Sequence, residues 1–324
     1  MPAECDPTVP PMVPNLLGKP SGTGMLRQVI GFSTHAVSCA LLIFVVVAMA
    51  AAQQNASNSP SCELTGSLIK VADLPEGSGV AVSKRTPDRL WALNDSHEPV
   101  LVALDSKGAV VGHVRVSGTK VEDWEAVAVG PCPAGTCIYV GDIGDNEAKR
   151  ANIVIYRIPE PAESPGSVAV ADLLRMTYPD GAHDAEALLV TPKGEVLIVT
   201  KGDTGPVALY RVPEDAKPGG TAMLQPIGKP RQSGKAAADD RITDGAVSPS
   251  GAWVALRTNS VVLLYRSDDF MSGNWKEASR VSIEAIGEPQ GEGIAFGDER
   301  TIYVVGEGGG KSQPGTFGRL TCAF

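Results

Sequence analysis

The sequence predicts an all-β fold, and three observations carry that prediction. After residue 52 no helical periodicity persists for more than about two turns. Short apolar and β-branched runs alternate instead with Gly, Pro, Asp and Ser, which is the pattern of strands and turns. A unit of four such runs recurs roughly every 50 residues, and four strands per unit at this period are typical of a β-propeller.

Each repeat unit opens with a short strand that begins at a polar residue in most units. These first strands are expected at 78–82, 125–129, 186–190, 244–248 and 292–296. A second strand follows about ten residues later, at 90–93, 138–141, 197–200, 253–256 and 302–305. The third run usually ends in Tyr-Arg, and the fourth is less regular, as in LLRMTYP, AMLQPIG and RVSIEAI. The repeat therefore predicts five blades of four antiparallel strands, with six blades as the alternative.

The two ends of the repeat region are expected to close the ring. The fifth unit supplies only three strands, so its fourth strand should come from the N-terminal segment CELTGSLIKVADL. This closure would place Cys62 beside Cys322. A second pair, Cys132 and Cys137, lies in the turn PCPAGTC of the second unit. Because four cysteines in an exported chain favour two disulfides, we expect these two pairings.

Residues 1–52 are expected to be an N-terminal extension and a signal peptide. Arg27 precedes an apolar run over 36–52, which contains the small-residue pattern of a cleavage site. The run of 17 residues is short for a membrane span, which needs about 20. Cleavage near Ala50 or Ala52 is therefore favoured, and a single uncleaved N-terminal anchor is the alternative.

The expected export and the net charge limit the classes of function that the protein can have. We expect a secreted, periplasmic or cell-envelope monomer, with a flexible linker over 53–61 and the propeller over 62–324. The net charge of -9 argues against nucleic-acid binding, which requires a basic surface. A calcium ion or a cationic ligand fits this charge better, and contact with a membrane is expected only if the leader is retained.

Polar residues at strand ends are expected to meet at one mouth of the central channel, because first strands line that channel. The residues that open the first strands are Ser78, Glu125, Glu186, Asp244 and Glu292. The residues that end the second strands are Asn94, Asp142, Lys201, Arg257 and Gly306, which Glu307 follows. Convergent carboxylates need a cation, a basic partner or a raised pKa. Lys201 and Arg257 can neutralise two of the five carboxylates Glu125, Asp142, Glu186, Asp244 and Glu292, and the excess of hard oxygen ligands favours calcium.

We interpret these residues as one site. The candidate calcium ligands are Glu125, Asp142, Glu186, Asp244 and Glu292. The candidate catalytic groups are Glu125, Glu186, Lys201, Arg257 and Glu292. The residues expected to contact a bound ligand are Asn94, Asp95, Asp123, Trp124, Asp145, Asn146 and Asp184. For His97 and His183, which flank these motifs, a turn or rim position is favoured over a role as general base.

The stretch YVGDIGDN, residues 139–146, can be interpreted either as a polar turn or as part of the site. Glycine, asparagine and aspartate are the residues of a plain polar turn. The same stretch follows a predicted second strand, so Asp142 would join the ring of the mouth while Asp145 and Asn146 would lie on its rim. Two other motifs are excluded: GEGGGKS at 306–312 lacks the first glycine of a phosphate loop, and the chain has no Gly-x-Ser-x-Gly elbow.

The segments DWEAVAV, DAEALLV and GEGIAF, together with NDS, GDIGDN and TKG, resemble secreted bacterial propellers related to the esterase-like phytase and SdiA-regulated groups. The resemblance covers roughly residues 75–310. It implies a propeller with acidic residues, and in some members calcium, in the channel, and the match falls at Glu125, Glu186 and Glu292. The chain departs from the pattern at Ser78, which replaces the acid, and at Asp244, which precedes glycine.

Two functions stay open at this point. The first is a calcium-stabilised exported propeller that binds a small ligand or an envelope component at the acidic mouth. The second is a metal-dependent hydrolase that acts on phosphoesters, lactones or glycosides through the same carboxylates. Lys201 and Arg257 are fewer basic residues than the phosphate-binding cluster of a phytase requires. A third alternative is a scaffold whose mouth is closed by salt bridges such as that between Lys201 and Glu186.

Overall fold

The fold is that of a five-bladed β-propeller, seen in a computed structural model that describes residues 61–95, 98–163, 166–169, 172–310 and 312–323. The expected leader, most of the linker and His97 lie outside these residues. The described part contains 23 strands, one short helix, α1 (Ser267–Met271), and two single 3-10 turns. The all-β prediction is therefore confirmed.

The strands form five sheets, and each sheet is one blade. The chain starts with β1 (Ser61–Leu64) and β2 (Ile69–Val71), which both pair with the last strand. The first blade contains β3 (Gly77–Val82), β4 (Arg89–Asn94), β5 (Val100–Asp105) and β6 (Val110–Ser117). The second contains β7 (Trp124–Cys132), β8 (Gly135–Asp142), β9 (Ile153–Pro159) and β11 (Asp172–Thr177).

The last three blades follow the same antiparallel order. The third contains β12 (Ala185–Val190), β13 (Val196–Thr200), β14 (Leu209–Arg211) and β16 (Gln225–Pro226). The fourth contains β17 (Asp244–Val247), β18 (Trp253–Arg257), β19 (Val261–Arg266) and β20 (Glu277–Ser282). The fifth contains β21 (Gln290–Phe296), β22 (Thr301–Glu307) and β23 (Gly315–Ala323), completed by β1.

The first strands of the blades form a closed inner ring. Each of β3, β7, β12, β17 and β21 contacts the first strand of the next blade, and β21 contacts β3. The apolar end of this ring encloses a channel cavity of about 50 Å³, and all five first strands line it. The blade count is thus five rather than the alternative six.

The connections between the third and fourth strands of the second and third blades add two strands that the repeat does not predict. β10 (Ser167–Ala169) runs parallel to β6, and β15 (Thr221–Met223) runs parallel to β11 of the blade before its own. The segment AMLQPIG is therefore divided between two blades, with its first part on the second blade and its second part, β16, on the third. Each added strand covers an outer edge whose backbone groups would otherwise be unpaired.

The ring closes as the sequence predicts. β1 pairs with β23 so that Cys62 lies opposite Cys322, and the two cysteines form a disulfide. Cys132 and Cys137 form the second disulfide, across the β7–β8 hairpin. Both pairings are confirmed, and two disulfides indicate an oxidising compartment. Among the described residues, none of the helices has the length and apolar character needed to cross a bilayer.

We predict that the disulfide between Cys62 and Cys322 stabilises the protein more than the hairpin disulfide does. The two bonds span 260 and 5 residues. In the chain-entropy model these loops correspond to about 5 and about 2 kcal/mol, because the longer loop restricts the unfolded chain more. Denaturant unfolding of the Cys62→Ser/Cys322→Ser and Cys132→Ser/Cys137→Ser double variants measures both values. Equal losses would show that ring closure contributes no additional stability.

Candidate functional site

A β-bulge marks the start of the first strand in four blades. The strand register shifts between Gly77 and Gly79 in the first blade, and it shifts at the matching place in the second, third and fifth blades. The extra residues include Ser78, Glu125, Glu186 and Glu292. A bulge turns a side chain out of the regular alternation of a strand. The local backbone therefore singles out the residues that the sequence places at the mouth.

Residues from the first three blades meet at Glu125. The Ser78 hydroxyl donates a hydrogen bond to the Glu125 carbonyl oxygen at 2.5 Å and lies 3.1 Å from its Oε2. The Glu125 carboxyl also contacts the carboxyl of Glu186. Burial, together with the charge of Glu186, raises the pKa of Glu125 well above its usual range. The two carboxyls share a hydrogen bond because one of them can keep its proton.

Lys201 supplies a positive charge to this group. Its Nζ forms an ion pair with Glu186 Oε1 and lies 3.8 Å from Asp184 Oδ2. Burial raises the pKa of Glu186 to about 8, even though Lys201 lowers it. Burial also disfavours the Lys201 ammonium, but the carboxylates of Glu186, Asp184 and Glu125 outweigh that effect and raise its pKa. Lys201 is therefore a permanent cation at the mouth.

The acidic surface continues onto the fifth blade. Gln290 Nε2 donates to Glu292 Oε1 at 2.7 Å, and Glu292 is 9% exposed. Burial raises the pKa of Glu292 to about 7, with a further rise from the charge of Glu307. Burial and the charges of Asp95 and Glu76 likewise raise the pKa of Glu307. We call the set Asp95, Asp123, Glu125, Glu186, Glu292 and Glu307 the acidic mouth.

Three members of the acidic mouth form a tighter group, the three-carboxylate cluster of Asp95, Asp123 and Glu125. One carboxylate oxygen from each residue lies within 4.8 Å of the other two. Burial, and next the charge of Asp95, raises the pKa of Asp123 to about 6. The cluster joins the turn after β4 to the start of β7, so it bridges the first two blades.

Gly144 leaves room for the three-carboxylate cluster. A Cβ atom at this position would lie 2.5 Å from Asp123 Oδ2 and 2.6 Å from Glu125 Oε1. A side chain at this position would therefore overlap the two carboxylates. The backbone approaches the acids closely at this point, which is a common reason for a glycine beside a site.

The stretch 139–146 is both a turn and a support for the cluster. The two carboxylate oxygens of Asp142 accept hydrogen bonds from the backbone N–H groups of Glu122 and Asp123, each at 3.0 Å. Asp145 likewise accepts from the N–H groups of Lys149 and Arg150, at 2.9 and 2.8 Å. The carboxylates of Asp142 and Asp145, both predicted site residues, therefore accept hydrogen bonds from the backbone. Asn146 is exposed on this loop.

Asp184 lies between this loop and Lys201. Its Oδ1 accepts a hydrogen bond from the Asp145 N–H at 2.6 Å, and its carboxyl also shares a hydrogen bond with the carboxyl of Asp203. The side chain is fully buried. Burial raises the pKa of Asp184, and the Asp145 N–H and Lys201 partly offset this rise.

Arg257 and Asp244 join the fourth blade to the fifth. Arg257 is fully buried, and its guanidinium donates to the carbonyl oxygens of Gly293 and Val305 and pairs with Glu288. Asp244 Oδ2 accepts the N–H of Ile294 at 2.8 Å. Burial raises the pKa of Asp244 well above its usual range, although this N–H lowers it.

Two residues that were expected to contact a ligand, Asn94 and Trp124, lie beside the site, and His183 occupies a turn as expected. Asn94 shapes the turn before Asp95, because its side chain bonds the N–H of Glu76 and the carbonyl of Asp73. The structure places Trp124 in the core, fully buried with its ring 6.1 Å from that of Tyr156. His183 occupies a turn, where its Nε2 lies 3.1 Å from Asp180 Oδ1 and 3.2 Å from the Tyr210 hydroxyl.

Sequence reasoning missed three residues that the site uses. Gly144 and Arg150 lie in the loop after β8, and Glu288 precedes β21. Gly144, the second glycine of GDIGDN, could have indicated a site, but a polar turn explains a glycine there equally well. Arg150 and Glu288 carry none, because their partners come from other segments of the chain.

Similarity to known proteins shows the fold alone. No known family model matches the chain, and no curated protein sequence matches it. The PQQ-bound aldose sugar dehydrogenase of Streptomyces coelicolor is 12% identical, with a TM-score of 0.50, and the match covers 82% of this chain and 99% of that one. A gluconolactonase of Xanthomonas campestris is 12% identical with a TM-score of 0.43 over 83% and 96% of the chains. A streptogramin B lyase is 11% identical with a TM-score of 0.41 over 81% and 98%.

We predict that Glu292 makes the protein less stable as the pH rises. Its pKa is about 7 in the folded state against an ordinary 4.5, so the folded state holds the proton more tightly. This contribution is complete below about pH 4.5 and is lost as the pH rises through 7, with an upper size of roughly 3 kcal/mol. Melting curves with a chelator at pH 4.5 and 7.5 should show a smaller drop for Glu292→Gln. An identical drop in both proteins would contradict the prediction.

Proposed function

We propose that the acidic mouth binds a divalent cation, with calcium the favoured ion, and that the ion and the surrounding carboxyls bind a small oxygen-bearing ligand. The observation that carries the proposal is the three-carboxylate cluster, whose oxygens lie within 4.8 Å of one another at the mouth. The cation would be held by Asp95, Asp123 and Glu125.

The donor set and the space around it fit calcium. All three groups are carboxylates, which are the hard oxygen ligands that calcium prefers. Gly144 leaves space beside two of them, since a Cβ atom there would lie 2.5 Å from Asp123 Oδ2. The buried carboxyl of Asp184 adds a further negative charge nearby, which contributes to the raised pKa of Asp123. A calcium site takes six to eight oxygens, so three carboxylates leave positions for a ligand.

The charge of the mouth supports the same proposal. Burial and mutual repulsion raise the pKa of both Asp123 and Glu125, so the folded protein binds positive charge there more readily than ordinary carboxylates do. Lys201 is already paired with Glu186. A bound proton or cation would relieve the repulsion in the three-carboxylate cluster.

Hydrolysis is the second candidate function, and the pair of Lys201 and Glu186 beside the cluster favours it. Glu292, with a pKa of about 7, can give or take a proton near neutral pH, which is the property that general acid–base catalysis requires. The charged Lys201 can hydrogen-bond an oxygen that gains negative charge. Bound calcium would polarise an ester or lactone carbonyl. An uncharged ester or lactone suits this mouth better than a phosphoester, which the carboxylates would repel.

We predict that calcium raises the melting temperature through Glu125. At a concentration 100-fold above Kd the expected rise is roughly 5–10 °C, since binding to the native state alone contributes about 2.7 kcal/mol. Glu125→Gln should remove this response. It should also raise the melting temperature in chelator, because it removes a buried carboxyl whose raised pKa makes the folded state less favourable at neutral pH.

Calorimetry with calcium and with chelator measures both effects. Glu163→Gln is the matched control, because Glu163 is exposed in the connection between β9 and β11 of the second blade and should respond to calcium like the wild type. If the wild type melts at the same temperature with calcium and with chelator, the acidic mouth is not a calcium site.

We predict hydrolysis of an uncharged aryl ester or lactone in the presence of calcium, and little turnover of a phosphomonoester. Lys201→Met should lower the rate by about 100-fold because it removes the donor to the oxygen that gains negative charge. Glu292→Gln should lower it by a similar factor because it removes the acid–base group. Lys193→Met, an exposed change in the same blade, should leave the rate unchanged. Faster turnover of the phosphomonoester, or full activity of Lys201→Met, would reject this second function while leaving calcium binding intact.

A further inference from the structure

We infer that Arg150 and Asp142 are positioning residues of the cation site. Together they hold the turn that contains Asp123 against the loop that contains Gly144, and we call this connection the lock. The inference rests on the proposed function. Neither side chain touches the cation in this assignment. Both act through the backbone that places the three-carboxylate cluster.

Asp142 holds the turn before β7. Its Oδ2 accepts the Glu122 N–H and its Oδ1 accepts the Asp123 N–H, each at 3.0 Å. The backbone returns the contact, since the N–H groups of Ile143 and Gly144 donate to the Asp123 carbonyl at 3.1 and 3.3 Å. Asp142 is fully buried at the end of β8. The position of the Asp123 backbone therefore depends on the carboxylate of Asp142.

Arg150 connects that carboxylate to the loop. One guanidinium nitrogen, Nη2, lies 2.8 Å from Asp142 Oδ1, and the other, Nη1, donates to the Gly144 carbonyl at 2.7 Å. The Arg150 side chain is 10% exposed. Asp145 accepts the Arg150 N–H at 2.8 Å and so fixes the backbone from which this side chain extends. The Arg150 guanidinium therefore connects the turn before β7, through Asp142, to the loop after β8, through Gly144.

The lock matters because the cluster tolerates little displacement. Asp95, Asp123 and Glu125 repel one another, and the backbone at Gly144 approaches two of them so closely that a Cβ atom there would lie 2.5 Å from Asp123 Oδ2. Without the lock, repulsion would separate the turn from the loop and spread the carboxylates. Hydrogen-bond partners of this kind around metal ligands commonly change metal affinity by about 10–100-fold.

The charge of Arg150 should affect calcium binding in the opposite direction to its positioning role. The direction of the change in affinity on removing Arg150 therefore tests the inference. Its positive charge lies close enough to Asp123 to lower the pKa of that carboxyl, against the larger rise from burial. A positive charge beside a cation site weakens binding, so its removal should tighten calcium binding if charge is all that Arg150 contributes. If Arg150 instead positions the cluster, its removal should weaken calcium binding.

The test is isothermal titration of calcium into the full-length wild type and three variants. Arg150→Gln removes both the charge and the lock, while Arg150→Lys keeps the charge and loses the forked contact. Arg157→Gln is the matched control, because Arg157 forms a partly buried pair with Asp172 at 2.8 Å on the outer strands of the same blade. Melting curves in chelator first establish that each variant is folded.

We expect Arg150→Gln to bind calcium at least about tenfold more weakly and Arg157→Gln to bind within about twofold of the wild type. Binding by Arg150→Gln that equals or exceeds that of the wild type overturns the inference and leaves the proposed function standing. If Arg150→Gln does not fold, Arg150→Lys decides, since unchanged affinity overturns the inference and a loss of threefold or more supports it. Absence of calcium binding by the wild type overturns the proposed function, and this inference with it.

Discussion

Repulsion between buried carboxylates at one end of the propeller ring is the constraint on which the rest of the site depends. A closed ring of five first strands brings the start of every blade to the same place. In three blades the residue at that place is a glutamate in a β-bulge, and Ser78 takes the position in the first. The fold therefore concentrates negative charge that each neighbouring side chain must either neutralise or tolerate.

The molecule relieves this repulsion differently at different positions. Glu186 is paired with Lys201, and Asp142 with backbone amides and Arg150. The fully buried Arg257 takes Glu288 as its partner, which removes it from the open mouth. In the three-carboxylate cluster, burial and neighbouring carboxylates raise the pKa of Asp123 and Glu125, and for that reason we propose this cluster as the cation site.

Stability and site are coupled through the same strands. Burying carboxyls with raised pKa values, such as Glu125 and Glu186, makes the folded state less favourable at neutral pH. The ring resists opening because β1 pairs with β23 and the disulfide between Cys62 and Cys322 joins the two chain ends. A closed ring can thus hold like charges together that an open array of blades would release.

Local periodicity and spacing along the chain are enough to predict the five-fold repeat, both disulfide pairings and the carboxylates at the start of the first strands. Other features follow from the folded arrangement: Trp124 packs in the core, Asp142 binds backbone N–H groups, and Arg150 and Glu288 belong to the site. These features could not be predicted because the partner of a polar side chain depends on which loops meet across the ring. Blade packing, and not spacing along the sequence, brings those loops together.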